Sequence, residues 1–146
     1  DKMVYITGDM HGDIERLFDK DFRRLRKGDV LIVCGDFGFI FQNDDKEKQI
    51  LDEIEKRNYT IMFVDGNHEN FDLLDALPEE RWNGGMIHRL RPNVIHLCRG
   101  YVFRIDGMRV FCMGGGKSRR RGRRYSKNDG GARFLIWKKL NSRIIP

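Results

Sequence analysis

In Gly8-Asp9-Met10-His11-Gly12 a carboxylate and an imidazole stand two residues apart, able to share one divalent cation. The flanking glycines let the backbone turn tightly around such an ion. Asp36, in Gly35-Asp36, adds a second carboxylate, whose two oxygens can bridge two cations about 3.5–4 Å apart. Asn67, in Gly66-Asn67-His68, offers a neutral carbonyl oxygen to the second cation, and His68 follows it toward the substrate side. Taken singly, each piece has a plainer meaning: a turn at Gly-Asp, a packing histidine, a helix cap at Asn67. Taken together they point to metal chemistry, because two carboxylates facing one cleft repel unless a cation lies between them.

That chemistry requires the residues to meet, which is a matter of secondary structure. Each residue follows an apolar run that stops at a glycine: Tyr5-Ile6-Thr7-Gly8, Ile32-Val33-Cys34-Gly35 and Phe63-Val64-Asp65-Gly66. Asp36 follows Asp9 by 27 residues and Asn67 follows Asp36 by 31, the length of a β-α-β unit of about 30 residues. Successive parallel strands end on one edge of a sheet, so Asp9, His11, Asp36, Asn67 and His68 are expected at one spot.

The pattern along the chain predicts strands over residues 3–8, 30–34 and 60–64. Between the first two, Asp13 caps a predicted helix with Ile14, Leu17, Phe18, Phe22 and Leu25 on its apolar face, stopped by Gly28. A second helix with Ile50, Leu51 and Ile54 inward follows the polar loop at 42–45, and a short third one carries Phe71, Leu74 and Leu77 ahead of Pro78. Asn83-Gly84-Gly85 reads as a turn. Residues 94–97, 101–105 and 109–113 read as strands, the last two joined by Asp106-Gly107, a strong hairpin signal. The change from β-α-β-α-β to antiparallel strands implies a mixed sheet or two stacked sheets between helices. Beyond Gly114-Gly115-Gly116 the periodicity fades, and residues 133–145 are expected either as a helix packed on the body or as loosely ordered chain.

Charge divides the molecule in the same place. The net charge of +6 combines residues 1–116, with 17 basic and 21 acidic groups, and residues 117–146, with 11 basic groups and one acidic one. The expectation is an α/β domain over 1–116 and a basic, atypical tail over 117–146. No apolar run approaches the roughly 20 residues needed to span a bilayer. The start, Asp1-Lys2-Met3-Val4-Tyr5, leads straight into a strand, so no signal peptide is expected. Cys34, Cys98 and Cys112 are odd in number and widely spaced, which favours buried thiols in a reducing, cytoplasmic compartment over a disulfide framework.

Gly8-Asp9-Met10-His11-Gly12, Gly35-Asp36 and Gly66-Asn67-His68-Glu69 resemble the first three motifs of the calcineurin-like metallophosphoesterase superfamily, in order and in spacing. The likeness runs from residue 3 to about 118 and includes a Gly-Gly-Gly where that family often has a Gly-Gly turn. It implies a metallophosphoesterase-like α/β sandwich of four layers with mixed sheets, and a dinuclear centre of two divalent metal ions, of the manganese, iron or zinc type, hydrolysing phosphate esters. By that likeness Asp9 and His11 serve the first metal, Asp36 bridges and Asn67 serves the second. His68 acts as general acid toward the leaving oxygen or as a hydrogen-bond donor to the phosphoryl group. Two such cations bring +4 against −2 from Asp9 and Asp36, and the surplus attracts phosphate. Asp36 is followed by Phe37-Gly38 rather than by Asp-x-x-Asp-Arg, so the chain is more similar to the bacterial and phage branch than to the protein phosphatases.

The family normally adds three later histidines, whereas the four here are His11, His68, His88 and His96. The fold is therefore expected to be C-terminally incomplete, and the chain to bind metal weakly with low or no phosphatase activity. His88 and His96 precede the hairpin, in the wrong order for those ligands, and are expected to be structural or surface residues. An alternative function is non-catalytic nucleic-acid binding through residues 117–127, where Arg119-Arg120-Arg121-Gly122-Arg123-Arg124-Tyr125 would neutralise phosphates without reading sequence. A third is assembly, with Phe39, Ile40 and Phe41 contacting a partner.

Overall fold

The structure is a computed structural model describing residues 2–8, 10, 12–20, 22–35, 37–40, 42–66, 69–113, 133–137 and 142–145. Four parallel strands form its centre: β1 (Val4–Thr7), β2 (Val30–Cys34), β3 (Thr60–Val64) and β6 (Val94–Leu97). Side chains alternate across them. Leu31, Val33, Ile61 and Phe63 face one core, and Ile32, Met62 and Val64 face the other. Burial on both faces is why these strands read as nearly unbroken apolar runs.

The connections lie on one face, as right-handed crossovers from successive neighbouring strands require. The first one departs from expectation. Two 3-10 helices, Ile14–Phe18 and Phe22–Arg24, replace the single α-helix. Asp13 does cap, its carboxylate accepting from Glu15 N at 3.1 Å. Asp19 then takes an extended backbone that ends the first helix, and its carbonyl accepts from the N–H groups of Phe22 and Arg23, which starts the second. Leu17 and Phe22 still reach the core.

Helix α1 (Asp45–Glu55) follows the polar loop and buries Leu51 and Ile54. Its N-terminus is closed reciprocally: Asp44 accepts from Glu47 N at 2.9 Å, and Glu47 accepts from Gln42 N and Asn43 N at 2.6 and 2.5 Å. The Asn93 amide donates to the carbonyls of Ile54, Arg57 and Tyr59, tying the end of α1 to the loop before β6. Helix α2 (Phe71–Asp75) is short, capped by Asn70, and buries Leu74.

Four strands were not expected, two of them in a hairpin. The turn at Asn83-Gly84 is a hairpin joining β4 (Glu79–Trp82) to β5 (Gly85–Arg91), with φ of 45° and 100° at its two central residues. Both continue the main sheet antiparallel beyond β6. A second hairpin, with Asp106 and Gly107 at its turn, joins β7 (Tyr101–Ile105) to β8 (Met108–Met113). The stretch at 133–145 holds neither a helix nor structureless chain among its described residues. It holds β9 (Arg133–Trp137), antiparallel to β8, and β10 (Ser142–Ile145), parallel to β1.

The result is a seven-stranded mixed sheet, in the order β10-β1-β2-β3-β6-β5-β4, and a three-stranded antiparallel sheet, β7-β8-β9. Helices cover one face of the large sheet. The small sheet covers the other through Phe103, Ile105, Met108, Val110 and Cys112. These are three of the four layers expected of a metallophosphoesterase-like sandwich; the fourth has no counterpart among the described residues. Phe39 and Ile40 are buried in the helical-side core, which leaves them no surface for a partner; Phe41 lies outside the described residues. No disulfide joins Cys34, Cys98 and Cys112. Among the described residues no helix is long and apolar enough to cross a membrane.

Candidate metal centre and a buried histidine cluster

Asp9, His11, Asp36, Asn67 and His68 lie outside the described residues, as does the basic segment 117–127. Their immediate neighbours are described, and these come together at the C-terminal ends of β1, β2 and β3. The N–H of Gly12 donates to the carbonyl of Phe37 at 3.0 Å. The N–H of Phe37 donates to the Glu69 carboxylate at 2.6 Å. One hydrogen-bonded line thus crosses all three motif loops. Gly12 has a φ of 70°, and a Cβ there would sit 2.8 Å from the Gly38 carbonyl oxygen. Only glycine permits that approach. Glu69 is 1% exposed.

The hard and borderline donors of Asp9, His11, Asp36 and Asn67 suit divalent cations of the manganese, iron or zinc type. Packing supports the same edge. The Phe37 ring stacks on Phe63 with centroids 4.3 Å apart and planes 8° apart, and Met10 is buried in the same core. Thr7, the last residue of β1, accepts a hydrogen bond from the Arg16 guanidinium at 2.8 Å.

A second polar group sits beside this edge. His88 on β5 and His96 on β6 are register partners, so their side chains share a face. Their Nδ1 atoms are 2.9 Å apart, and the rings stack at 5.2 Å. Cys98 follows His96 by two residues, and its Sγ lies 3.8 Å from His88 Nδ1. His96 Nε2 lies 2.8 Å from Asp65 Oδ1. Arg99 places Nε and Nη2 2.5 Å from Asp65 Oδ2, and its guanidinium covers the Phe71 ring at the start of α2. His88 is 4%, His96 5% and Asp65 2% exposed. The two histidines are structural rather than superficial.

Electrostatics follow from this burial. Burial first, and then the neighbouring His96, hold the His88 imidazole below its ordinary value of 6.5, against the pull of Glu79, Asp75 and Asp65. Burial alone would raise the Asp65 carboxyl; the hydrogen bonds and charges of His96 and Arg99 outweigh it and hold the group below 3.8. Burial pushes the Cys98 thiol up to about 11, helped by Glu79, Asp65 and Asp75, and the Cys112 thiol to about 12.

The sequence alone missed Asp65, Cys98 and Arg99 as members of a cluster and left His88 and His96 without one. A signal existed in His96-Leu97-Cys98, whose alternation puts both side chains on one face of a strand. Finding His88 needed β5.

The calcineurin-like phosphoesterase family model matches residues 2–144. Among curated proteins, the chain is 27% identical over 125 residues to a lariat debranching enzyme of Drosophila pseudoobscura pseudoobscura, covering 73% of this chain and 22% of that protein. It is 29% identical over 121 residues to the lariat debranching enzyme of Schizosaccharomyces pombe, covering 73% of this chain and 24% of that one. The chain therefore spans less than a quarter of the length of these curated relatives. No solved structure gives a significant match. The family match covers nearly the whole chain, and the chain belongs to the calcineurin-like phosphoesterase family.

Proposed function

We propose that this chain hydrolyses phosphate esters, with divalent cations held by Asp9, His11, Asp36 and Asn67. The observation that supports it most is the hydrogen-bonded line from Gly12 through Phe37 to Glu69, which joins the three loops bearing those residues. When bound, such cations supply Lewis acidity toward phosphoryl oxygens and lower the pKa of bound water. Asp9 and Asp36 would supply the negative charge that retains them, with Asp36 shared between the two. His68 donates a proton to the leaving oxygen or a hydrogen bond to the phosphoryl group; general acid catalysis contributes typically ~10²–10⁴-fold. Glu69 and Gly12 position the loops.

Within this chain, with Asp36 shared, one cation has three protein ligands and the other two, at or below the three usual at catalytic sites. We therefore expect weak metal binding and low turnover. The likeness to lariat debranching enzymes and the arginine run at 119–124 together favour a polynucleotide substrate. The three thiols fit a reducing, cytoplasmic setting. The test is hydrolysis of 4-nitrophenyl phosphate and of its phosphodiester analogue across a manganese titration. The wild type is expected to show manganese-dependent turnover that Asp36→Ala lowers at least ~100-fold. Indistinguishable rates for the two proteins at saturating manganese would reject catalysis at this site.

A second reading, non-catalytic binding of nucleic acid through residues 117–127, rests on the charge of the tail. It predicts affinity that falls steeply with salt and ignores sequence.

A further inference from the structure

We propose that His88, His96 and Cys98 form a separate site for a zinc-class cation, distinct from the centre assigned to Asp9, His11, Asp36 and Asn67. Their three donor atoms all lie within 4.8 Å of one another. A tetrahedral cation with nitrogens at ~2.0–2.1 Å and sulfur at ~2.3 Å sets donor edges of about 3.3 Å between nitrogens and about 3.6 Å between nitrogen and sulfur. The Cys98 Sγ to His88 Nδ1 separation of 3.8 Å is already close to that edge. The 2.9 Å between the two Nδ1 atoms must open by a few tenths of an ångström, within reach of a ring rotation.

A proton shared between the two imidazoles is the competing explanation. It accounts for the 2.9 Å contact but gives Cys98 only a weak sulfur contact. Asp65 prepares His96 for the cation. Its carboxylate takes the Nε2 proton of His96 as a hydrogen bond, which turns the Nδ1 lone pair toward His88 and Cys98. A carboxylate behind a histidine, on the nitrogen away from the ion, is the usual support of a metal-ligating imidazole. Arg99 and its contact with Phe71 fix that carboxylate in turn. The donors also stand on or directly after paired strands: Cys98 N continues the β5–β6 pairing by donating to Met86 O at 3.1 Å. Two imidazoles and one thiol favour zinc or a similarly soft ion over magnesium or calcium, which prefer oxygen.

Protons balance simply. His96 keeps its Nε2 proton, and His88 moves its proton from Nδ1 to Nε2. The Cys98 thiol releases one proton to solvent, so each cation bound releases one proton.

Cobalt(II) titration of the chelator-treated full chain tests the proposal. The expected result is a near-ultraviolet thiolate-to-cobalt charge-transfer band that saturates at one equivalent and is displaced by zinc. Cys98→Ser abolishes it, and His88→Gln weakens cobalt affinity at least ~10-fold. Asp36→Ala leaves it unchanged, because no cysteine belongs to the other donor set; failure of phosphoesterase catalysis and failure of this site are thus read separately. A wild-type protein with no such band overturns the proposal whatever the variants do. So does a full band surviving in Cys98→Ser, which would place the thiolate at Cys34 or Cys112.

Discussion

Glu69 shows how one side chain can govern a site it does not belong to. Its carboxylate accepts from the N–H that follows Asp36 and itself follows His68 in sequence. Removing it leaves a buried donor unsatisfied, a cost of about 1–3 kcal/mol. Glu69→Ala should lower the unfolding free energy read from urea titration by that amount and weaken manganese-dependent hydrolysis. Glu69→Gln, which keeps an acceptor oxygen, should recover most of the stability. The histidine cluster gives a pH prediction at the same scale. In the folded protein the His88 imidazole favours its neutral form, so the unfolded chain binds more protons below about pH 6.5. Stability is full above that value and is lost as pH falls toward the lowered folded value. Asp65 acts in a separate window: its contribution is full above about pH 3.8 and is lost as pH falls through its depressed value. Urea midpoints measured with chelator present should stay level from about pH 8 to 7 and then fall in two steps as pH drops. In His88→Gln the upper step should vanish and the lower one remain.

Elements decide which parts of this fold show in the sequence. The boundaries of β2 and β3 follow from residue type, because strands buried on both faces need unbroken apolar runs, and a glycine follows within two residues of each. The segment after Asp13 misleads, because apolar residues at 14, 17, 18, 22 and 25 fit one α-helix or two 3-10 turns equally well. The carbonyl of Asp19, bonding two successive N–H groups, decides between them. Strand β4 hides because Glu79, Glu80 and Arg81 face solvent at the sheet edge. With it hidden, β5 has no visible partner, and the meeting of His88 with His96 and Cys98 cannot be foreseen. The meeting of the three motif loops, by contrast, is legible in their spacing, and Gly12, Phe37 and Glu69 do come together. The hairpin itself can be tested. A Cβ on Gly85 would lie 2.6 Å from Phe103 Cε1 and from Tyr101 Cβ, and Phe103 is fully buried. Overpacking of this kind costs typically about 1–3 kcal/mol. Gly85→Ala should lower the thermal midpoint accordingly, whereas Gly100→Ala, with open space around its Cβ but a φ of 84°, should pay only backbone strain.

At the scale of the molecule, the charge step near residue 117 and the strand pairing divide the chain differently. By charge, residues 117–146 are a basic appendage. By pairing, β9 completes the small sheet and β10 covers the outer edge of β1, whose four residues are all buried. Cutting the chain after Gly116 therefore removes two strands along with the arginines. It should expose an apolar, unpaired β1 edge, lower stability and promote concentration-dependent association in light scattering. Any loss of nucleic-acid binding in such a fragment would say nothing about the arginines. Replacing Arg119, Arg120, Arg121, Arg123 and Arg124 with glutamine keeps both strands and isolates the electrostatics. If the run contacts a duplex, each lost phosphate contact should flatten the dependence of log affinity on log salt by ~0.9, about 4.5 units if all five make one, with the thermal midpoint unchanged. An unchanged salt slope in that full-length variant would remove the run from any nucleic-acid role, and the basic charge would then need another partner.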